Sequence, residues 1–309
     1  MAYQTGTALN ANDLLDKIRV FALSQGWTIH GWAVRSDGGG SGGWCLLLGK
    51  ADIHFALYAD LGADSTGNPG QKLGGYLYPA YSGAHGNMAQ PNKSANIYGN
   101  GLGMSQYVAY HFFAGPEHIH VTIEVTTGVY KHFGIGRLRR LGNVNTGAYL
   151  YVSNWRSDIG YINNPLTSFH AIPFDSAYNY GYSRSTVIMA DSDAATPRYL
   201  YATEENIADR LICGYRNASE TLPILNLSAS TLTGRATLWP VLVAARRLSS
   251  SLYSPIGQPP DLRWVRLDYL NPGEALTLGT DEWMIFPVIR KNGGLGEPNS
   301  GVFGIAFKK

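Results

Sequence analysis

The sequence predicts a mainly β protein: antiparallel sheets or a sandwich, one N-terminal amphipathic helix, and long loops rich in Gly, Tyr and Asn. Three observations carry that reading. Glycine supplies 37 of 309 residues, above the usual ~7%. Short apolar or aromatic runs recur between clusters of Gly, Pro, Asn and Ser, the pattern of strands joined by turns. Only one clear stretch, near the start, spaces its apolar residues by three and four.

That stretch is the helix. Asn10 or Asn12 can cap it, Asp13 suits the positive end of its dipole, and Leu14, Leu15, Ile18, Phe21 and Ala22 form the apolar stripe. Gly26 ends it. Trp27–Val34 follows as a strand, with Thr28, His30 and, less neatly, Trp32 on its polar face. Asp37–Gly43 is a glycine turn into strands at Trp44–Leu48 and Ile53–Ala59. Residues 62–103 read as long loops with little regular structure, long enough to reach a neighbour or ligand.

In His118–Val125 every second residue is apolar, which predicts a half-buried antiparallel strand. Thr126-Thr127-Gly128 turns it into Val129–Phe133. Further strands are expected at 148–152, 186–189, 199–201, 210–213, 236–243 and 264–267, with loops at 154–183 and a short helical candidate at Glu204–Asp209. Ala275–Leu278 and Glu282–Ile289 form a second hairpin, and Gly301–Phe307 closes the chain. The division expected is a body over 1–190 and a second β-rich region over 191–309 that shares strands with it. Either 217–235 or 249–260 would serve as a linker.

Hydrophobic residues make up 45% of the chain, within the globular range, but charged residues only 15%, against about 25% on average. A subunit covered by neighbours needs fewer charges; an uncharged polar β surface accounts for the same deficit. A net charge of +2 gives no bulk attraction to nucleic acid or anionic membrane. Cys45 and Cys213 lie in apolar runs and read as buried free thiols of a reducing compartment, though a disulfide between them stays open. No signal-peptide pattern and no membrane-length apolar run is seen, so the protein is expected to be soluble.

Several constellations could carry chemistry. His118, His120 and Glu124 share one face of a strand, and the two histidines could hold a metal with His111 or His132. The other reading is a polar strand face meeting solvent or a neighbour. Gly134-Ile135-Gly136 starts like a dinucleotide loop, but Arg139 replaces the third glycine and no βαβ unit surrounds it. These glycines read instead as a bulge or close approach between strands. Lys131, Arg137, Arg139 and Arg140 form a basic cluster that could meet an acidic neighbour, phosphate or DNA, or sit as a polar rim. The pairs Asp191/Asp193, Glu204/Glu205 and Asp281/Glu282 invite a glycosidase reading, but adjacent strand residues point to opposite faces, which argues against the last two pairs, and Asp191 and Asp193 read as a turn. Tyr76, Tyr78, Tyr81, Tyr178, Tyr180 and Tyr182 offer aromatic faces for loop packing, a subunit interface or a sugar ring. No catalytic signature and no cofactor motif is found, so no enzyme activity is expected.

Gln4–Ala8, Asp13–Lys17 and Gly26-Trp27-Thr28, then Tyr130–Leu138, then Arg266–Glu274, Phe286–Lys291 and Ser300-Gly301 occur in an order and spacing that resembles a group of tailed-bacteriophage virion proteins. The phrases sit at both ends and the middle of the chain, and none is a catalytic signature. The resemblance implies a structural part of the tail or baseplate. It implies a three- or six-fold assembly of copies among other tail proteins, built in the host cytoplasm. A receptor-binding module for host surface glycan, or a tail-associated glycan hydrolase, are the alternatives.

Overall fold

A computed structural model describes residues 1–35, 42–61, 71–83, 90–94, 96–99, 106–141, 145–153, 174, 186–191, 196–202, 209–212, 237–247, 252–291 and 303–309. The architecture is mainly β with one helix among the described residues, as the composition and periodicity predict.

The helix α1 spans Ala11–Ser24. Of the two cap candidates, Asn10 is the one used: its side chain accepts from the Asp13 amide at 2.9 Å. Asp13 in turn accepts from the Leu9 amide at 2.8 Å. One orphan donor of the first turn and the amide just ahead of the cap are thereby satisfied. Leu14, Leu15, Ile18, Phe21 and Ala22 are all buried. Gly26, at φ +75°, takes the left-handed conformation that lets the chain leave the helix.

The strands are β1 (Ala2–Ala8), β2 (Thr28–Val34), β3 (Trp44–Lys50), β4 (Ile53–Asp60), β5 (Lys72–Tyr78), β6 (Ile97–Gly99), β7 (Tyr107–Gly115), β8 (His118–Thr126) and β9 (Val129–Arg137). Next come β10 (Arg139–Arg140), β11 (Ala148–Val152), β12 (Thr186–Asp191), β13 (Arg198–Ala202), β14 (Asp209–Ile212) and β15 (Trp239–Pro240). Last are β16 (Val243–Arg247), β17 (Leu252–Gln258), β18 (Leu262–Arg266), β19 (Ala275–Leu278), β20 (Asp281–Pro287) and β21 (Phe303–Lys308).

They form three sheets. The N-terminal sheet has the order β2-β3-β4-β5-β6, the central sheet β1-β7-β8-β9-β11-β12-β13-β14-β16-β17-β10, and the C-terminal sheet β15-β18-β21-β20-β19. Among the described strands every pairing is antiparallel except β13 with β14. Since β10 follows β9 after Leu138 alone and pairs with β17, the central sheet returns on itself. Its far end, β1, pairs with β7 alone among the described residues. The pairing of β12 with β13 runs straight across position 190.

The central sheet is the middle layer. On one face, Phe112, Ile119, Val121, Ile135, Leu150, Val187 and Met189 join α1 and the inner side of the N-terminal sheet in one core. On the other, Phe113, Tyr149, Tyr151 and Ile188 pack against Trp264, Phe286, Ile305 and Phe307 of the C-terminal sheet. Hence β8 is buried on both faces, which corrects the half-buried strand expected from its alternation. The alternation is real, but its polar side meets a second sheet rather than water.

Other departures have local causes. The 62–103 segment contains β5 and β6. Gly74 and Gly75, which fall in the expected loop segment, are strand residues without Cβ because neighbours occupy the space. A Cβ on Gly74 would lie 2.5 Å from the Tyr58 hydroxyl, and one on Gly75 2.6 Å from the Ala56 carbonyl oxygen. The poor alternation of β2 reflects a register shift between Ile29 and Gly31 that leaves His30 out of step. The Asp37–Gly43 turn, the 154–183 loops, Cys213 and the Glu204–Asp209 segment lie mostly or wholly outside the described residues; Cys45 is a buried thiol. No described helix is long and apolar enough to cross a membrane.

Candidate functional site

The most unusual chemistry lies between the central and C-terminal sheets, where four of the eight histidines are placed. Their strands supply them by alternation: β7 presents His111 beside Phe113, β8 presents His118, His120 and Thr122, and β9 presents His132. His118, His120 and His132 are 1%, 0% and 2% exposed.

Geometry fixes the protons on two of them. His120 Nε2 lies 2.9 Å from the Pro260 carbonyl oxygen, which can only accept, so Nε2 carries the hydrogen. In the neutral ring that burial favours, its Nδ1 accepts from the Tyr151 hydroxyl, 2.9 Å away. His132 repeats the arrangement: Nε2–H donates to the Pro287 carbonyl at 2.9 Å, and Nδ1 accepts from Thr122 Oγ1 at 3.1 Å. Both rings are neutral, and each ties the central sheet to the backbone of a C-terminal segment.

Burial pushes His120 down to about 3, with the neighbouring His118 adding to the effect and Pro260 opposing it. Burial likewise brings His111, His118 and His132 to about 4. His118 faces Asp261, with Nε2 3.4 Å from Oδ2. His111 Nδ1 lies 2.9 Å from the Tyr3 hydroxyl, and its ring lies against Phe286 at 4.8 Å.

Glycines make this layer possible. A Cβ on Gly134 would lie 2.5 Å from the Tyr151 ring, and one on Gly136 2.4 Å from His118 Cβ. The Gly134-Ile135-Gly136 motif thus gives clearance to side chains crossing from β11 and β8. Neither a bulge nor a phosphate cradle is involved.

The metal reading does not survive as the sequence framed it. His118 and His120 are neighbours, with ring centroids 4.8 Å apart. Glu124 is at the other end of β8, where its carboxylate accepts from the Gly128 amide at 2.7 Å. Among the described residues no group of three or more His, Cys, Asp or Glu is placed to hold a metal.

The basic cluster also comes apart. Lys131 is buried at the hairpin end of β9, facing the N-terminal sheet, with no charged partner among the described residues. Burial pulls its ammonium down to about 8. Arg137 pairs with Asp52 and lies 3.5 Å from Glu117. Arg139 and Arg140 are exposed, and Arg140 donates to the Asn145 carbonyl at 2.8 Å. Of the acidic pairs, Asp281 bonds Lys308 at 2.8 Å and Glu282 bonds Lys309 at 2.7 Å. Asp191 lies 3.2 Å from the Asn145 amide. Asp193, Glu204 and Glu205 lie outside the described residues.

The tyrosines divide. Tyr78 is fully buried in β5, its hydroxyl 3.3 Å from the Phe55 carbonyl. Tyr76 and Tyr81 are half-buried on the outer face of the N-terminal sheet. Lys93 Nζ stands 4.2 Å over the Tyr76 ring, and Tyr81 stacks on His30 at 4.4 Å. Tyr178, Tyr180 and Tyr182 lie outside the described residues. Sequence reasoning missed the roles of Tyr151, Pro260 and Pro287. Their signal was the alternation Tyr149-Leu150-Tyr151, but nothing local says which histidine a tyrosine will meet.

No protein-family model matches the chain, and a search of curated proteins finds no match.

Proposed function

We propose that this protein is a non-catalytic structural component of a tailed-bacteriophage particle. It would sit in the tail or baseplate, be assembled in the host cytoplasm, and hold neighbouring subunits in a three- or six-fold assembly. The observation that carries the reading is the order and spacing of the phrases at residues 4–28, 130–138 and 266–291, which resemble those of tailed-phage virion proteins. Two further features support it. Only 15% of residues are charged, as suits a surface shared with neighbours. The end strand β1, Ala2–Ala8, has no charged residue or proline, and among the described residues its outer edge is unpaired.

The test is direct. An antibody to this chain, applied to purified virions, should decorate tails at a symmetric position in negative-stain images. The purified chain should sediment as a trimer or hexamer. A monomer absent from mature particles would overturn the proposal.

A second reading rests on Tyr76 and Tyr81. Half-buried aromatic rings beside Lys93 and His30 can stack on a sugar while polar groups take its hydroxyls. In that case the purified protein adsorbs to host cells, and Tyr76→Ala with Tyr81→Ala abolishes adsorption. A scaffold alone does not adsorb.

A further inference from the structure

We propose that the layer of buried imidazoles between the central and C-terminal sheets is an acid-operated latch: protonating it parts those two sheets and leaves the N-terminal sheet seated. The inference rests on the fold and does not depend on the proposed place in a virion.

The two faces of the central sheet are built differently. Toward the N-terminal sheet the contact is aliphatic and aromatic: Leu46, Leu48, Phe55 and Leu57 meet Ile119, Val121 and Leu150. On that side Lys131 is already protonated at neutral pH, and the Asp52 carboxyl, held below its ordinary 3.8 by Arg137 against the effect of burial, stays ionised down to pH 4, so acid leaves these charges unchanged over the range that matters. Toward the C-terminal sheet, His111, His118, His120 and His132 interrupt the apolar contact. Two of them carry hydrogen bonds that cross to the C-terminal segments, at Pro260 and Pro287.

The surroundings do little to stabilise added charge. His120 is faced by Tyr149, Tyr151, His118, the Pro260 carbonyl and, farther off, Asp261. His132 is faced by Thr122, the Pro287 carbonyl and the adjacent Lys131. His111 meets Tyr3, Phe286 and Thr122, and Lys309 lies over the Tyr3 ring. His118 feels Lys50 and the chain's amino terminus, both positive. Among the described residues, Asp261 is the one carboxylate within ion-pair reach of any of the four. Glu124 is turned away to the hairpin amide. Four imidazolium charges, three of them closed off from bulk solvent and that of His111 half-buried, would thus share one partner, and separating the sheets restores their hydration.

The direction in pH follows. All four rings sit below their ordinary 6.5 in the closed form. The layers are therefore fully held above about 6.5, and the hold is lost as pH falls toward 4.

Pulsed hydrogen exchange read by mass spectrometry on the full chain tests this. Samples equilibrated between pH 7.5 and 4 receive an identical labelling pulse. Amides of β20 and β21 are expected to gain labelling at least tenfold across the acid range while β3 and β4 stay protected. In the double variant His120→Gln, His132→Gln the transition should become shallower and move to lower pH. Equal labelling of both interfaces, no labelling change at all, or an unchanged transition in the variant overturns the proposal. Should the variant fail to fold, the imidazole carbon resonances of the unaltered protein decide. Midpoints below about 5 for the buried rings agree with the latch, and midpoints near 6.5 sink it.

Discussion

The Tyr151 hydroxyl reaches His120 Nδ1 at 2.9 Å by crossing the one position between them, Gly134, where a Cβ would stand 2.5 Å from the Tyr151 ring. Three adjacent strands are thereby keyed together. Tyr151→Phe removes the donor and leaves a buried nitrogen unpaired, at an expected cost of about 1–3 kcal/mol. Gly134→Ala should cost about 2 kcal/mol by forcing the ring aside. Because both changes act on one contact, the double variant should lose less than the two single losses added together. Denaturant melts of the four proteins check all of this.

Lys131 gives the opposite sign. Its ammonium is buried without a charged partner among the described residues, beside a cavity of about 10 Å³, room for a single water. Burial lowers it from the ordinary 10.5 to about 8. The group opposes folding at neutral pH, and that opposition fades as pH rises from 8 to 10.5. Lys131→Met is predicted to raise stability at pH 7 by up to about 3 kcal/mol, at ~1.4 kcal/mol per unit. The gain should fall away through pH 10.5 and vanish above it, where both the folded and the unfolded chain hold a neutral amine. Unfolding midpoints across that range are the measurement.

The Asn10 cap serves as a local control. Asn10→Ala should cost about 1 kcal/mol by orphaning the Asp13 amide. Circular dichroism melts read the loss, and Asn12→Ala should leave the cap itself intact.

On the outer face of the N-terminal sheet, Arg35 and Asp60 pair at 3.6 Å with side chains 6% and 9% exposed, and the guanidinium also lies 4.2 Å over the Tyr58 ring. Asp60→Ala leaves a buried cation and should cost about 3–5 kcal/mol. Removing both partners, as Arg35→Met with Asp60→Leu, should recover most of that.

Helix α1 and the hairpin of β8 with β9 were legible in the sequence because each repeats one local pattern without interruption. The strands β1, β5 and β7 were not. In β1 and β5 the glycines are ones a tertiary neighbour demands: Gly6 lies under the Tyr110 hydroxyl, and Gly74 under that of Tyr58. A local rule reads such glycines as breaks. The histidines could be placed on a face from sequence alone, but not on which side of that face water ends. Their partners are 140 and 155 residues away at Pro260 and Pro287, and no periodicity spans that distance.

The return of β10 onto β17 sets a limit on how the molecule is made. Arg139 meets Gln258 and Arg140 meets Gly257, so the pairing joins stretches more than a hundred residues apart. Contacts of such range are slow to form, because a large loop must close before they repay it. A ribosome-bound fragment ending before residue 257 lacks this clasp and presents an unfinished sheet. Emergence of β17, not of the first half of the chain, is what allows the central sheet to close on itself.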